Sequence, residues 1–317
     1  MKPYTKWTSA ILGLLFVILV RLAWGSEGGG SHYLPGTYND FSAGVFGTSG
    51  VYFRNDFFAR HGEVSRAPIG GRLYEDVDER VWTNSFKLSL VTDARIFGGR
   101  YGAALNLPVI LHQRADGLLQ LGPGETRQRD NRSGIGDLFV APVQLNWRWD
   151  NHHITVAEGI FAPTGTYDSD RVTNLGRNYW TFDSTLTYTW LNEKRGHEFS
   201  LTAGYLVNTR NQDTHYRSGN ELHLDALLAQ HFSPRFAVGF PVYWYKQITG
   251  DDADVLNRFN LGSFRGESLG IGLAVLYKPT IVNTDVNLVL KWLHDVHARR
   301  RLEGSEIMLS ISFKLWP

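Results

Sequence analysis

In the stretch WTFDSTLTYTW (180–190), the even positions carry Trp180, Phe182, Leu186, Tyr188 and Trp190. The odd positions carry Thr181, Asp183, Thr185, Thr187 and Thr189. Period two marks a β-strand with one apolar and one polar face. The same alternation recurs at 86–90, 101–111, 139–149, 199–207, 222–228, 236–244, 269–277, 286–292 and 307–315. Residues 50–61 and 152–163 are weaker candidates, because apolar side chains fall on both parities. The pattern predicts twelve strands and no helix of any length.

The links between strands carry a second rhythm. Segments 62–81, 113–135, 164–178, 209–218, 249–265 and 298–304 are polar and rich in Gly, Asp, Asn and Arg, and read as long loops. They alternate with short turns at 97–100, 149–151, 192–196, 233–234 and 279–282. Strict alternation of tight and extended links is the mark of an up-and-down outer-membrane β-barrel, with short periplasmic turns and longer extracellular loops. The expected fold is therefore an all-β, transmembrane, antiparallel barrel.

Tryptophan placement decides what the apolar faces meet. With the N-terminus inside, Trp82, Trp180, Trp244 and Trp292 fall toward the outer rim. Trp147, Trp149, Trp190 and Trp316 fall toward the inner rim. Trp180 and Trp190 are ten residues apart, about 33 Å along a strand. A tilt of about 40° projects that to roughly 25 Å, the height of the apolar band in such barrels. Indoles favour the headgroup level, so the eight form two membrane-interface girdles.

Composition narrows the class further. A net charge of +1 gives no reason to expect a nucleic-acid partner. The absence of cysteine excludes disulfides and thiolate metal sites, and suits an exported protein. Lys2 and Lys6 followed by the apolar run 11–20 read as a signal peptide, cleaved after Gly25. The expected division is a signal peptide at 1–25, a Gly- and aromatic-rich leader at 26–49, and the barrel at 50–317. The leader reads as a segment packed against or inside the barrel, with a plug role as its functional version. The C-terminal strand ends on aromatic and apolar residues, as in barrels passed to the outer-membrane assembly machinery, although Pro317 departs from a final aromatic.

Polar positions opposite the lipid face should line the lumen. The pore-lining candidates are Lys87, Asp93, Arg95, Arg148, Asp183, Glu198, Glu221, His223, Asp225, Tyr243, Tyr245 and Lys291. Charges of both signs are balanced, so salt-bridged packing is the plain account of them and a solute site the sharper one. Glu221, His223 and Asp225 share a face, but a single carboxylate–imidazole–carboxylate row is a weak metal signal. No metal or cofactor is expected. The polar loop 208–219 offers Asn208, Asn211, Thr214 and Tyr216 as pins over the mouth, or simply as supports of its own rigidity.

Catalytic signatures are missing from the sequence. There is no G-x-S-x-G; FGGRYG (97–102) is a hairpin turn; and His112, Asp116 and Asp130 lie in one loop-like stretch. The chain does not read as an enzyme. The blocks HYLPGTYNDFSAG (32–44), GDLFVAPVQLNW (136–147), PTGTYD (163–168), TNLGRNYWTF (173–182), NTRNQDTHYRSG (208–219) and YWYKQITGDD (243–252) carry a resemblance. They are similar to an outer-membrane transporter family named for the MetA-pathway (phenol meta-cleavage pathway) of phenol degradation, over nearly the whole mature chain. That resemblance implies uptake of small hydrophobic or aromatic compounds across the outer membrane, and no ring-cleaving chemistry. The expectation is a monomeric passive channel whose partners are outer-membrane lipid and a small-molecule solute. The alternatives are a closed structural or adhesive barrel working through its loops, and a rim-located hydrolase.

Overall fold

The structure, a computed structural model, describes residues 27–121, 124–262 and 264–316. The signal peptide expected at 1–25 lies outside them. Fourteen strands follow one another: β1 (Gly50–Ile69), β2 (Arg72–Ile96), β3 (Gly99–Leu121), β4 (Gly124–Ile135), β5 (Leu138–Trp149), β6 (His152–Ala162) and β7 (Thr181–Asn192). Then come β8 (His197–Asn208), β9 (Glu221–Ser233), β10 (Phe236–Gln247), β11 (Glu267–Tyr277), β12 (Thr280–Ile281), β13 (Thr284–Arg299) and β14 (Glu303–Trp316). One short helix, α1 (Asp254–Arg258), sits in the β10–β11 loop.

Neighbouring strands pair antiparallel, and β1 pairs with both β2 and β14, which closes the sheet. β4 is not a wall strand of its own: it continues the line of β5 beyond a break at Gly136–Asp137, both pairing with β3. β12 only trims the last turn. The result is a closed barrel of twelve strands. Closure leaves the membrane-spanning ring without an open edge, which hydrocarbon would not tolerate.

β7 shows why the sequence makes this wall. Its inward residues Thr181, Asp183, Thr185, Thr187 and Thr189 are all buried, whereas Phe182 and Leu186 on the other face are exposed, Leu186 by 50%. Phe240, Leu273, Leu290 and Ile307 continue that exposed band around the barrel. In water such a patch would drive aggregation; in lipid it is solvated. Trp82, Trp149, Trp180, Trp292 and Trp316 are exposed on this face, and Trp147, Trp190 and Trp244 are half-buried.

One expectation is corrected. Segments 62–81 and 113–135 are not loops: β1, β2 and β3 run for 20, 25 and 23 residues, and the polar stretch GETRQRDNRSGI is β4. The other membrane strands from β5 to β11 have 11 to 13 residues. At about 3.3 Å per residue the longer strands rise well above the apolar band. There they form a sheet turned by Gly70 and Gly71, both at positive φ. Its inner face buries Val64, Ala67, Tyr74, Val77 and Leu119 against Val172 of the β6–β7 loop and Leu302. The 298–304 link also shrinks to three residues between β13 and β14.

Candidate functional site

Residues 27–49 run through the lumen from the long-loop end to the short-turn end. Glu27 touches the β6–β7 and β8–β9 loops, through Tyr167 and Thr214. His32 and Tyr33 lie deeper, against β7 and β9. Ser49 reaches Asp93 and Gly47 reaches Arg100, both at the short-turn end. Gly, Ser and small aromatics let such a segment thread between inward side chains.

Three clusters fasten it. In the first, Arg54 of β1 bonds Asp40 of the segment and, at 2.7 Å, Asp56. Across the lumen, Lys291 Nζ donates to the carbonyls of Gly36 (2.7 Å) and Asn39 (3.2 Å) and lies 3.0 Å from Asp40. In the second, the Tyr33 hydroxyl donates to Asp225 at 2.8 Å and the Tyr38 hydroxyl to Asp183 at 2.5 Å. His223 lies 2.7 Å from Asp225 and 3.4 Å from Asp183, with its ring stacked 4.4 Å from Tyr33. In the third, His32 sits 2.9 Å from Asp137 and 2.7 Å from Thr181. Asp137, at the β4–β5 break, also accepts the amides of Gly165 (2.8 Å) and Arg177 (2.7 Å). Wall, loop and segment therefore meet on one carboxylate.

His223 has room only because residue 204 is glycine. A Cβ there would overlap the imidazole. Gly204→Ala should therefore displace His223 and loosen Tyr33, at a cost of about 1–3 kcal/mol for an overpacked site. A lower thermal midpoint together with greater proteolysis of the lumen segment checks this; an unchanged digestion pattern would contradict it.

At the mouth, burial pushes the Glu27 carboxyl up to about 7, against the opposing pull of Asn211, Arg177 and Thr214. Asp251, which accepts from Tyr216, Gln247 and the Gly219 amide (2.8 Å), is raised by burial in the same direction. The β8–β9 loop does fold over the lumen. Tyr216 is fully buried, Asn208 donates to Glu221 at 2.9 Å, and Asn211 reaches Glu27.

Beside the segment lies a cavity of about 640 Å³. Phe46, Phe58, Ile110, Phe139 and Phe161 supply its apolar surface, and Glu79, Lys87, Gln113 and Glu306 its polar one. Several of its polar groups have capacity to spare. Gln113 Oε1, Arg301 Nη1 and both Glu306 oxygens are buried without a hydrogen-bond partner, although Arg60 stands 3.8 Å from Glu306.

The pore-lining candidates divide. Lys87 and Asp183 face the cavity. Glu198, Glu221, His223, Asp225, Tyr243, Tyr245 and Lys291 are buried between the wall and the segment or the mouth loops. Glu198, for instance, accepts the Ser42 amide at 2.5 Å. Asp93, Arg95 and Arg148 are corrected: they are exposed at the short-turn rim, where parity still points inward but the lumen has ended. Arg54, Asp56, Arg60, Asp295 and the tyrosines of the segment were not singled out. The signal for the first three was present in β1 as alternating charges, blurred by the adjacent Phe57 and Phe58. Among the described residues one trio could ligate a metal, His61, Glu63 and Asp78, and it lies on the outer surface rather than in the row 221–225.

A closed barrel with a lipid-facing apolar band and a polar, partly filled interior is the architecture of an outer-membrane channel. The chain belongs to the family described as "Putative MetA-pathway of phenol degradation", whose model matches residues 65–311. Among solved structures, the fold is similar to that of an outer membrane channel from Pseudomonas putida F1, with TM-score 0.65 and 15% identity. That match covers 89% of this chain and 99% of the other. Looser likenesses are to the NanC porin (TM-score 0.43, 12% identity, covering 84% and 100%) and to a FadL homologue from Pseudomonas aeruginosa (TM-score 0.37, 10% identity, covering 86% and 92%). At these identities the likeness is one of fold. No curated protein matches the chain.

Proposed function

We propose that this protein is a diffusion channel of the outer membrane for small, mainly apolar or aromatic solutes. Residues 27–49 serve as a plug that narrows the path, and the barrel does no bond-making chemistry. The observation that carries the reading is the cavity between that segment and the wall. Phenyl rings form its body, and a few buried polar atoms await a partner. Pockets for small organic molecules are built this way, from an apolar lining with sparse polar anchors. A fully packed, purely structural lumen would not leave such a space, and this favours transport over the closed-barrel alternative. The family's name supports an aromatic solute.

Single-channel recording on the reconstituted barrel tests this. A small aromatic alcohol or carboxylate should interrupt the ionic current in a concentration-dependent way, and a sugar of similar size should not. Absence of any conductance, or equal interruption by both solutes, would refute it.

The mouth adds a pH dependence. Glu27 has a folded pKa near 7, above its ordinary 4.5, so the docked state holds its proton more firmly than the undocked one. For a carboxyl raised in this way, docking is firmest below about 4.5 and weakens as pH climbs to 7. Asp251 is raised by the same cause, but it ties the mouth loops to one another rather than to the segment. Conductance should therefore increase between pH 5 and pH 8, and Glu27→Gln should flatten that rise. A rise of equal size in the variant would assign the effect elsewhere.

A further inference from the structure

On the outer surface, the sheet formed by β2, β3 and β4 above the girdle carries positive charge that its own neighbours leave unneutralised. Arg80 and Arg114 stand directly opposite each other across the β2–β3 ladder, both exposed and outward-facing. Like charges in facing positions destabilise a strand pair unless something of opposite sign lies between them. The acid nearest Arg80 is Asp78 at 3.8 Å, and the other oxygen of Asp78 is already held 2.7 Å from His61. Arg114 makes no ion pair among the described residues. On β4, Arg127 and Arg129 both lean on a single carboxylate, Asp116, at 2.6 Å each. Their side chains remain 65% and 59% exposed. Three guanidinium groups thus share two carboxylates, and the fourth, Arg114, pairs with none among the described residues. Glu63 and Glu303, which face each other across β1 and β14, bound the patch on its far side.

The height of the patch identifies its occupant. Trp82, two residues past Arg80 along β2 toward the membrane centre, belongs to the outer girdle and packs 5.5 Å from His112, its opposite on β3. Two residues are about 7 Å along a strand. Arg80 and Arg114 therefore stand where hydrocarbon gives way to headgroups, with indole and imidazole beneath them to meet the first methylenes, and Arg129 and Arg127, opposite Asp116 and Leu118, extend the patch two and four residues further out. A guanidinium offers paired N–H donors that match phosphate oxygens, and it binds them most strongly where water is sparse. We propose that Arg80, Arg114, Arg127 and Arg129 form a binding site for the phosphate of an outer-leaflet lipid headgroup. The site is independent of the lumen and of what passes through it.

Native mass spectrometry of the purified full-length barrel in detergent, titrated with a bisphosphorylated glycolipid (lipid A) and with its dephosphorylated form, tests the site. The wild-type barrel should hold the phosphorylated lipid at least ~10-fold more tightly, and Arg80→Gln with Arg114→Gln should remove that preference. Millimolar inorganic phosphate should leave the bound lipid in place. Equal retention of both lipids, an unchanged preference in the double variant, or displacement by inorganic phosphate alone would each overturn the proposal. Should the double variant fail to fold, Arg114→Gln alone carries the same comparison, since that side chain touches no acid whose loss could unfold the sheet.

Discussion

Lys291→Met should release the lumen segment and raise single-channel conductance. The ammonium is fully buried, donates to the Gly36 and Asn39 carbonyls and to the Asn39 side chain, and pairs with Asp40. Methionine fills much of the same volume but satisfies none of these partners. Removing one member of a buried, hydrogen-bonded ion pair costs about 3 kcal/mol. The loss falls on a turn that side chains fasten to the wall, and it is worth roughly a hundredfold shift from docked to undocked. The barrel ladders do not involve Lys291 Nζ, so the wall should persist while the interior opens. Conductance equal to wild type in a folded variant would mean that the segment is fixed by its other contacts.

A disulfide should reverse that effect. The Gly44 amide donates to the Thr189 hydroxyl at 2.9 Å, and a Cβ built on Gly44 lies 3.4 Å from that of Thr189. This is just under the range of about 3.5–4.5 Å that a disulfide spans, so a small shift of the segment suffices. The chain has no cysteine, so Gly44→Cys with Thr189→Cys introduces the only two thiols. Oxidised, the pair should hold conductance at its lowest level and cancel the gain from Lys291→Met; reduced, it should restore that gain. Identical currents before and after reduction would show that ions pass without movement of the segment.

The wall was legible because lipid and lumen impose opposite demands on alternate residues, as along 180–190. That signal fades wherever the demand does. Above the membrane both faces of β4 are polar, so a paired strand of Arg, Gln, Asp and Asn looks like a loop. In β1, Phe57 faces lipid while Phe58 faces the cavity, and the two phenyl rings in sequence erase the parity that would have exposed Arg54, Asp56 and Arg60. Parity also gives a side chain's direction but not its depth. Asp183 and Asp93 have the same sequence character, yet one binds Tyr38 inside the lumen and the other stands in solvent at the rim. Which inward residues matter was set by residues 27–49, whose path no periodicity encodes.

The position of that path constrains how the molecule is made. Residues 27–49 lie within the ring of strands, and they lead directly into β1, the strand whose pairing with β14 from Val51–Trp316 to Glu63–Glu303 completes the ring. The segment joins β1 at the short-turn end, and its far end is held under the mouth by Tyr167 and Thr214, so it threads the whole bore. Arg54, which joins Asp40 to the first strand, keeps cargo and clasp together, so that the strand closing the ring also carries its filling.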